Sequence, residues 1–154
     1  MKIAIINGAN LNFTGIREPL IYGKVTLEEI NKRIEADAAV MAEQNLVNVD
    51  LEFFQSNIEG EIINFIQECH LRKFDGIIIN PGAFSYYSIA IRDAVLSCSM
   101  PVIEVHMSNH HSREDFRQKS VIAPVCRGQI CGFRAHGYVL AVQALIKLNL
   151  EVYE

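Results

Sequence analysis

The sequence has no basic run, no CxxC pair and no apolar stretch approaching the roughly 20 residues that a membrane-spanning helix needs. A nucleic-acid or anionic-membrane surface requires clustered positive charge, and here both signs are mixed along the chain with a net charge of −4. The start, MKIAIING, is too short in apolar residues for a secretory signal core, so cytoplasmic residence is the expectation. The 4 cysteines, Cys69, Cys98, Cys126 and Cys131, lie in apolar runs without metal-ligand spacing, and so read as small reduced core residues rather than a disulfide frame or zinc site. No Walker or dinucleotide glycine pattern is present to cradle a nucleotide, and no linker, repeat or low-complexity stretch interrupts residues 1–154, which leaves one domain.

What is present is 50% apolar residues arranged in two alternating periods. Short β-branched runs over Lys2–Asn7, Val47–Gln55, Gly76–Asn80 and Pro101–His106 read as strands, with a less distinct fifth over Ser120–Val125. The third and fourth are almost continuously apolar, as strands covered on both sides are. Between them stand segments of helical period. Thr26 with Glu29 forms a capping box ahead of Leu27, Ile30, Ile34 and Met41. A second helix aligns Ile62, Phe65, Ile66 and Cys69, a shorter one covers Ser88–Ser97, and the last aligns Tyr138, Ala141, Val142, Leu145 and Leu148. Right-handed crossovers of these lengths imply a flavodoxin-like, doubly wound parallel sheet of five strands in a three-layer α/β/α arrangement. Ligands of such sheets bind beyond the carboxyl ends of the strands, where this chain carries NGANLN, NPGAFSYYS and HMSNHHSRE, all rich in amides, hydroxyls and imidazoles.

Glu104 and His106 are two apart in a strand and so share a face, where the carboxylate orients the imidazole and favours its cationic form. That suits a general acid, and equally a structural pair at a strand end. The long stretch between Gly8 and Val25 carries Arg17 and Tyr22, and fits either a closing lid or a solvated loop. A tyrosine base working near neutrality needs its phenol pKa of about 10 lowered by about three units, worth roughly 4 kcal/mol. Arg17 and Arg113 are the cations available for that task. Asn7, Asn10, Asn12 and Asn80 are ordinary turn formers that can also hold hydroxyls or a water, and Asn80 stands where a receiver domain needs an aspartate. A metal site from His106, His110 and His111 is weakly indicated, because adjacent histidines on a polar loop fit no standard ligand spacing.

Taken in order, N-G-A-N-L-N, G-I-R-E-P-x-x-Y-G, Q-S-N-x-E-G-E, I-N-P-G-A, S-I-A-I-R-D-A, V-I-E-V-H-x-S-N and R-E-x-F-R resemble the type II dehydroquinases across nearly the whole chain. The GFRAHGY segment is similar to that family's G-F-G-x-x-G-Y, with Arg134 in place of the second glycine. The resemblance implies elimination of water from 3-dehydroquinate through an enolate, without a metal or cofactor. It gives Tyr22 as the base, with Arg17 as its lid partner and Arg113 lowering the phenol pKa. Asn10 holds a water against the enolate oxygen, and His106, oriented by Glu104, is the acid. The backbone at Met107 and Ser108 receives the substrate carboxylate, Asn80 and Arg117 bind ring hydroxyls, and Asp93 reaches a neighbouring subunit of a trimer-based dodecamer. Tyr86 stands where the family usually has histidine, which implies altered affinity or substrate preference. A binder without turnover and a hydro-lyase acting on a related cyclic polyhydroxy acid therefore stay open at this point.

Overall fold

The computed structural model describes residues 1–16 and 24–151. Five parallel strands form one sheet in the order β2-β1-β3-β4-β5: β1 (Lys2–Asn7), β2 (Asp50–Gln55), β3 (Gly76–Asn80), β4 (Val102–His106) and β5 (Gly128–Cys131). Four helices flank it: α1 (Leu27–Gln44), α2 (Glu59–Leu71), α3 (Ile89–Leu96) and α4 (His136–Glu151). The alternation of side chains along each strand divides the core into two layers. Ile3 and Ile5 of β1, Ile78 of β3 and Val105 of β4 pack under α1 and α4 with Ile30, Ile34, Tyr138 and Leu145. Ala4 and Ile6, Ile77 and Ile79, and Val102 pack under α2 and α3 with Ile62, Ile66, Ile91 and Val95. This is the doubly wound, three-layer fold expected from the alternating periods, and the strand order reverses between β1 and β3, which puts the switch point over Asn7 and Asn80.

The helix boundaries follow local chemistry. Thr26 accepts from Glu29 N while Glu29 Oε2 accepts from Thr26 N at 2.8 Å, completing the capping box. At the other end of α1, Leu46 takes φ 54°, Val47 N donates to Ala42 O and Leu46 N to Glu43 O. This Schellman arrangement draws Val47 into the helix exit, so β2 starts at Asp50 rather than at Val47.

The fifth strand lies later than the sequence pattern implied. Over 120–125 the chain turns instead: Ser120 Oγ accepts from Ile122 N and Ala123 N, and Pro124 sits in a 3-10 turn over Ala123–Val125. Proline cannot donate to a ladder, and buried Ile122 serves the α2–α3 core layer from a loop. The actual edge strand, GQIC, is formed by pairing with β4 despite its weak intrinsic preference. Cys69 is fully buried, Cys98 and Cys126 are half-buried against the α2–α3 core layer, Cys131 is half-buried on β5, and none of the four forms a disulfide. Burial pushes the thiols of Cys69 and Cys126 up to about 12.

Two glycines set the approach of the strand-end loops. Gly8 N donates to Asn80 O at 2.8 Å, and a Cβ at Gly8 would lie 2.2 Å from Pro81 O. Gly82 has φ 62°, with Ala9 O 2.7 Å from where its Cβ would be.

Candidate active site

Beyond the carboxyl ends of β1, β3 and β4 the loops enclose a cavity. Asn10, Asn80, Tyr86 and His106 line it, and Met107, Ser108, Arg113 and Arg117 complete the wall on the side of the β4 loop. Eight of the residues singled out in the sequence thus converge on one concavity. Glu104 lies directly behind it. Asp93 is on the exposed face of α3, paired with Arg92 at 3.2 Å, and does not line this chain's cavity. Arg17 and Tyr22 lie outside the described residues.

The acid candidate is built from strand geometry. Glu104 and His106 share the face of β4 that carries Val102, and His106 Nε2 hydrogen-bonds Glu104 Oε1. A carboxylate with 0% exposure needs more than one donor, and Ser120 Oγ at 2.9 Å and Gln129 Nε2 at 3.1 Å supply the others. With Nε2 committed to Glu104, the Nδ1 side of the ring remains for a ligand, and Ser85 Oγ lies 3.5 Å from Nε2. Tyr86 runs nearly parallel to His106, ring centres 6.3 Å apart, and Arg117 lies 5.5 Å from the Tyr86 ring.

The cavity floor is held by a second buried network. Tyr138 Oη donates to Asn7 Oδ1 at 2.6 Å and accepts from Asn80 Nδ2 at 2.8 Å, while Asn80 Oδ1 accepts from Gly82 N at 3.3 Å. One Nδ2 hydrogen of Asn80 is left to point at a ligand. Burial raises the Tyr138 phenol well above its ordinary value, so it stays neutral. On the first loop, Asn10 takes φ 67°, and its N donates to Asn57 Oδ1 at 2.8 Å, which turns the chain tightly at the cavity mouth.

Charge on the remaining side is positive. Glu114 Oε2 lies 3.4 Å from Arg113 Nε and 3.1 Å from Arg117 Nε, so one carboxylate faces two guanidinium groups. Its own backbone N–H, followed by the two arginines, holds the Glu114 carboxyl below its ordinary value, and the net local charge suits an anionic ligand. Arg134 has φ 50° and its N donates to Met107 O at 2.8 Å, tying the loop after β5 to the one after β4. The left-handed backbone there accounts for the glycine at this place in the motif that GFRAHGY resembles.

Sequence reasoning missed Ser85, Ser120, Gln129 and Tyr138. The first three reach the Glu104–His106 pair from a turn, a loop and an edge strand whose positions only the fold sets. Tyr138 carried a signal, since a buried tyrosine needs a partner for its hydroxyl, but periodicity assigned it only to the core.

The arrangement holds an imidazole steadied by a buried carboxylate, amides at the switch point, and arginines for an acid group. Comparison with known proteins points the same way. The family described as Dehydroquinase class II matches residues 1–146. A 3-dehydroquinate dehydratase of Clostridium acetobutylicum is 54% identical over 94% of this chain and 96% of its own length. A second, from Sulfurovum sp., is 53% identical over 99% of this chain and 90% of its own. The crystal structure of type II dehydroquinase from Butyrivibrio crossotus superposes with a TM-score of 0.87 at 49% identity, covering 94% of this chain and 97% of that one. With site geometry, sequence and fold in agreement over nearly its whole length, the chain belongs to the class II dehydroquinases.

Proposed function

We propose that this protein is a 3-dehydroquinate dehydratase, a hydro-lyase that converts 3-dehydroquinate to 3-dehydroshikimate in the shikimate pathway. The reading rests above all on the fully buried Glu104 bonded to His106 at the edge of a cavity that also carries Arg113 and Arg117. Family membership and relatives named 3-dehydroquinate dehydratase support the same substrate.

The reaction removes a proton from the carbon beside a ketone and expels a hydroxyl from the ring. Tyr22, as phenolate, takes the carbon-bound proton, with Arg17 and Arg113 stabilising its negative charge. The electron pair moves onto the ketone oxygen, where a water held by Asn10 meets the developing enolate. As the ketone re-forms, the carbon–oxygen bond to the leaving hydroxyl breaks and His106 delivers a proton to it, so that water departs. Glu104 stabilises the cationic ring beforehand, and its three donors keep the carboxylate fixed. The backbone around Met107 and Ser108 receives the substrate carboxylate, while Asn80 and Arg117 hold ring hydroxyls. Tyr86 occupies the wall beside His106 and adjusts affinity for the ring. No step requires a metal or organic cofactor.

Asp93 completes the site of a neighbouring copy in a trimer-based dodecamer, consistent with its exposure away from this chain's own cavity. Residues 1–154 act as one catalytic domain in the cytoplasm, and no described helix is long and apolar enough to cross a membrane. Direct detection of 3-dehydroshikimate from 3-dehydroquinate, with close ring analogues run in parallel, tests the proposal. Turnover of an analogue in preference to 3-dehydroquinate reassigns the substrate, and binding without turnover of any of them removes the enzyme reading.

A further inference from the structure

The loop after β4 carries a second cluster that the dehydratase chemistry does not use. The β4–β5 register pairs His106 with Cys131, which extends the side of the sheet already occupied by Glu104 and Gln129. After His106 the chain turns back through a 3-10 turn over His110–Ser112, capped by Asn109, whose Oδ1 accepts from His111 N at 3.2 Å. Gly132 lets this turn approach: a Cβ there would lie 3.2 Å from Asn109 Cβ, and its φ is 94°. As a result His110, His111 and Cys131 each present a ligand atom, all within 4.8 Å of one another.

His110 is the telling member. It is 1% exposed, with its ring centre 4.9 Å from that of His106 and 4.4 Å from that of His111, and neither of its ring nitrogens has a hydrogen-bond partner among the described residues. A buried imidazole with both nitrogens unpaired is costly, and the cost is relieved by a partner that accepts its lone pair. The sequence only weakly indicated a site from His106, His110 and His111; the His106 ring is committed to Glu104, and Cys131 of the edge strand stands in its place.

We propose that His110, His111 and Cys131 form a zinc-binding site beside His106, outside the lining of the cavity. Two imidazoles and a thiol make a borderline-soft donor set that selects zinc over magnesium or calcium. Ligand bonds of about 2.0–2.3 Å require donor atoms closer together than the outer separation seen here, and the exposed His111 side chain is free to rotate inwards. The fourth position faces solvent beside His111 and half-buried Cys131. On binding, the Cys131 thiol releases its proton to solvent and the sulfur coordinates as thiolate. The site stands independently of the proposed reaction, but it sets a divalent charge next to the ring that gives up the proton, so occupancy slows turnover.

Protein stripped of metal by a chelator, titrated with Co2+ by absorption spectroscopy and with Zn2+ by calorimetry, provides the test. One Co2+ per chain is expected, with a thiolate-to-cobalt charge-transfer band that Cys131→Ser removes. Zn2+ affinity falls about tenfold or more in Cys131→Ser and in His111→Ala. His111 is exposed, so its variant keeps the fold, and circular dichroism of both variants checks this. Cobalt binding without the sulfur band, or Zn2+ affinity unchanged in both variants, overturns the site. Because binding is read directly, that failure is separable from any failure of the dehydratase assignment, and Cys131→Ser retains activity while escaping inhibition by Zn2+.

Discussion

Replacing Tyr138 by phenylalanine isolates the polar floor of the cavity from its packing. The ring stays in the core layer between α1, α4 and the sheet, so almost no apolar area is lost. What goes is one oxygen that bonds both Asn7 and Asn80, which are 1% and 3% exposed and cannot turn to bulk water. Each of these two buried groups left unpaired costs about 1–3 kcal/mol, so a loss of about 2–6 kcal/mol is expected, a large share of the 5–15 kcal/mol that stabilises a typical domain. Urea unfolding measures it as a fall in midpoint at unchanged slope. The same change releases the Asn80 amide at the cavity wall and raises KM for 3-dehydroquinate. Alkaline pH gives a further check. The folded phenol titrates above an unfolded value of about 10, so its stabilisation is complete below that pH and is lost as pH rises beyond it; the variant lacks that component of the alkaline decline. A stability loss under about 0.5 kcal/mol, with KM unchanged, refutes the idea that this network holds the switch point together.

Glu104→Gln keeps the shape but removes the charge that steadies His106, and kcat is expected to fall about 100-fold or more with little change in KM, as steady-state kinetics will read. Tyr86→His restores a shorter hydrogen-bonding ring at the wall, and a lower KM is expected; an unchanged KM means the tyrosine is neutral to binding. Leu46→Gly relaxes a φ of 54° at a side chain 94% exposed, so a gain of about 1 kcal/mol in urea unfolding is expected.

The fold was legible where periodicity and packing agree. GIIIN and VIEVH are buried at every position and could only be central strands, and the Thr26–Glu29 box announced α1. It failed where pairing overrides preference: GQIC carries no strand signal of its own, whereas the apolar run at 121–125 was needed to cover a core layer from a loop. The Glu104–His106 pair was readable because a two-residue spacing fixes a shared face. Its other partners were not, because Ser120 and Gln129 come near only through the turn after β4 and the edge pairing of β5. The clustering of Cys131 with His110 and His111 was hidden for the same reason, since strand register rather than spacing joins them.

The central claim divides the reaction between two side chains, and isotope incorporation tests that division most directly. With 3-dehydroquinate in deuterated water, His106→Asn is expected to wash deuterium into recovered substrate while forming almost no 3-dehydroshikimate, and Tyr22→Phe to do neither. Water loss at the original rate in either variant contradicts the account.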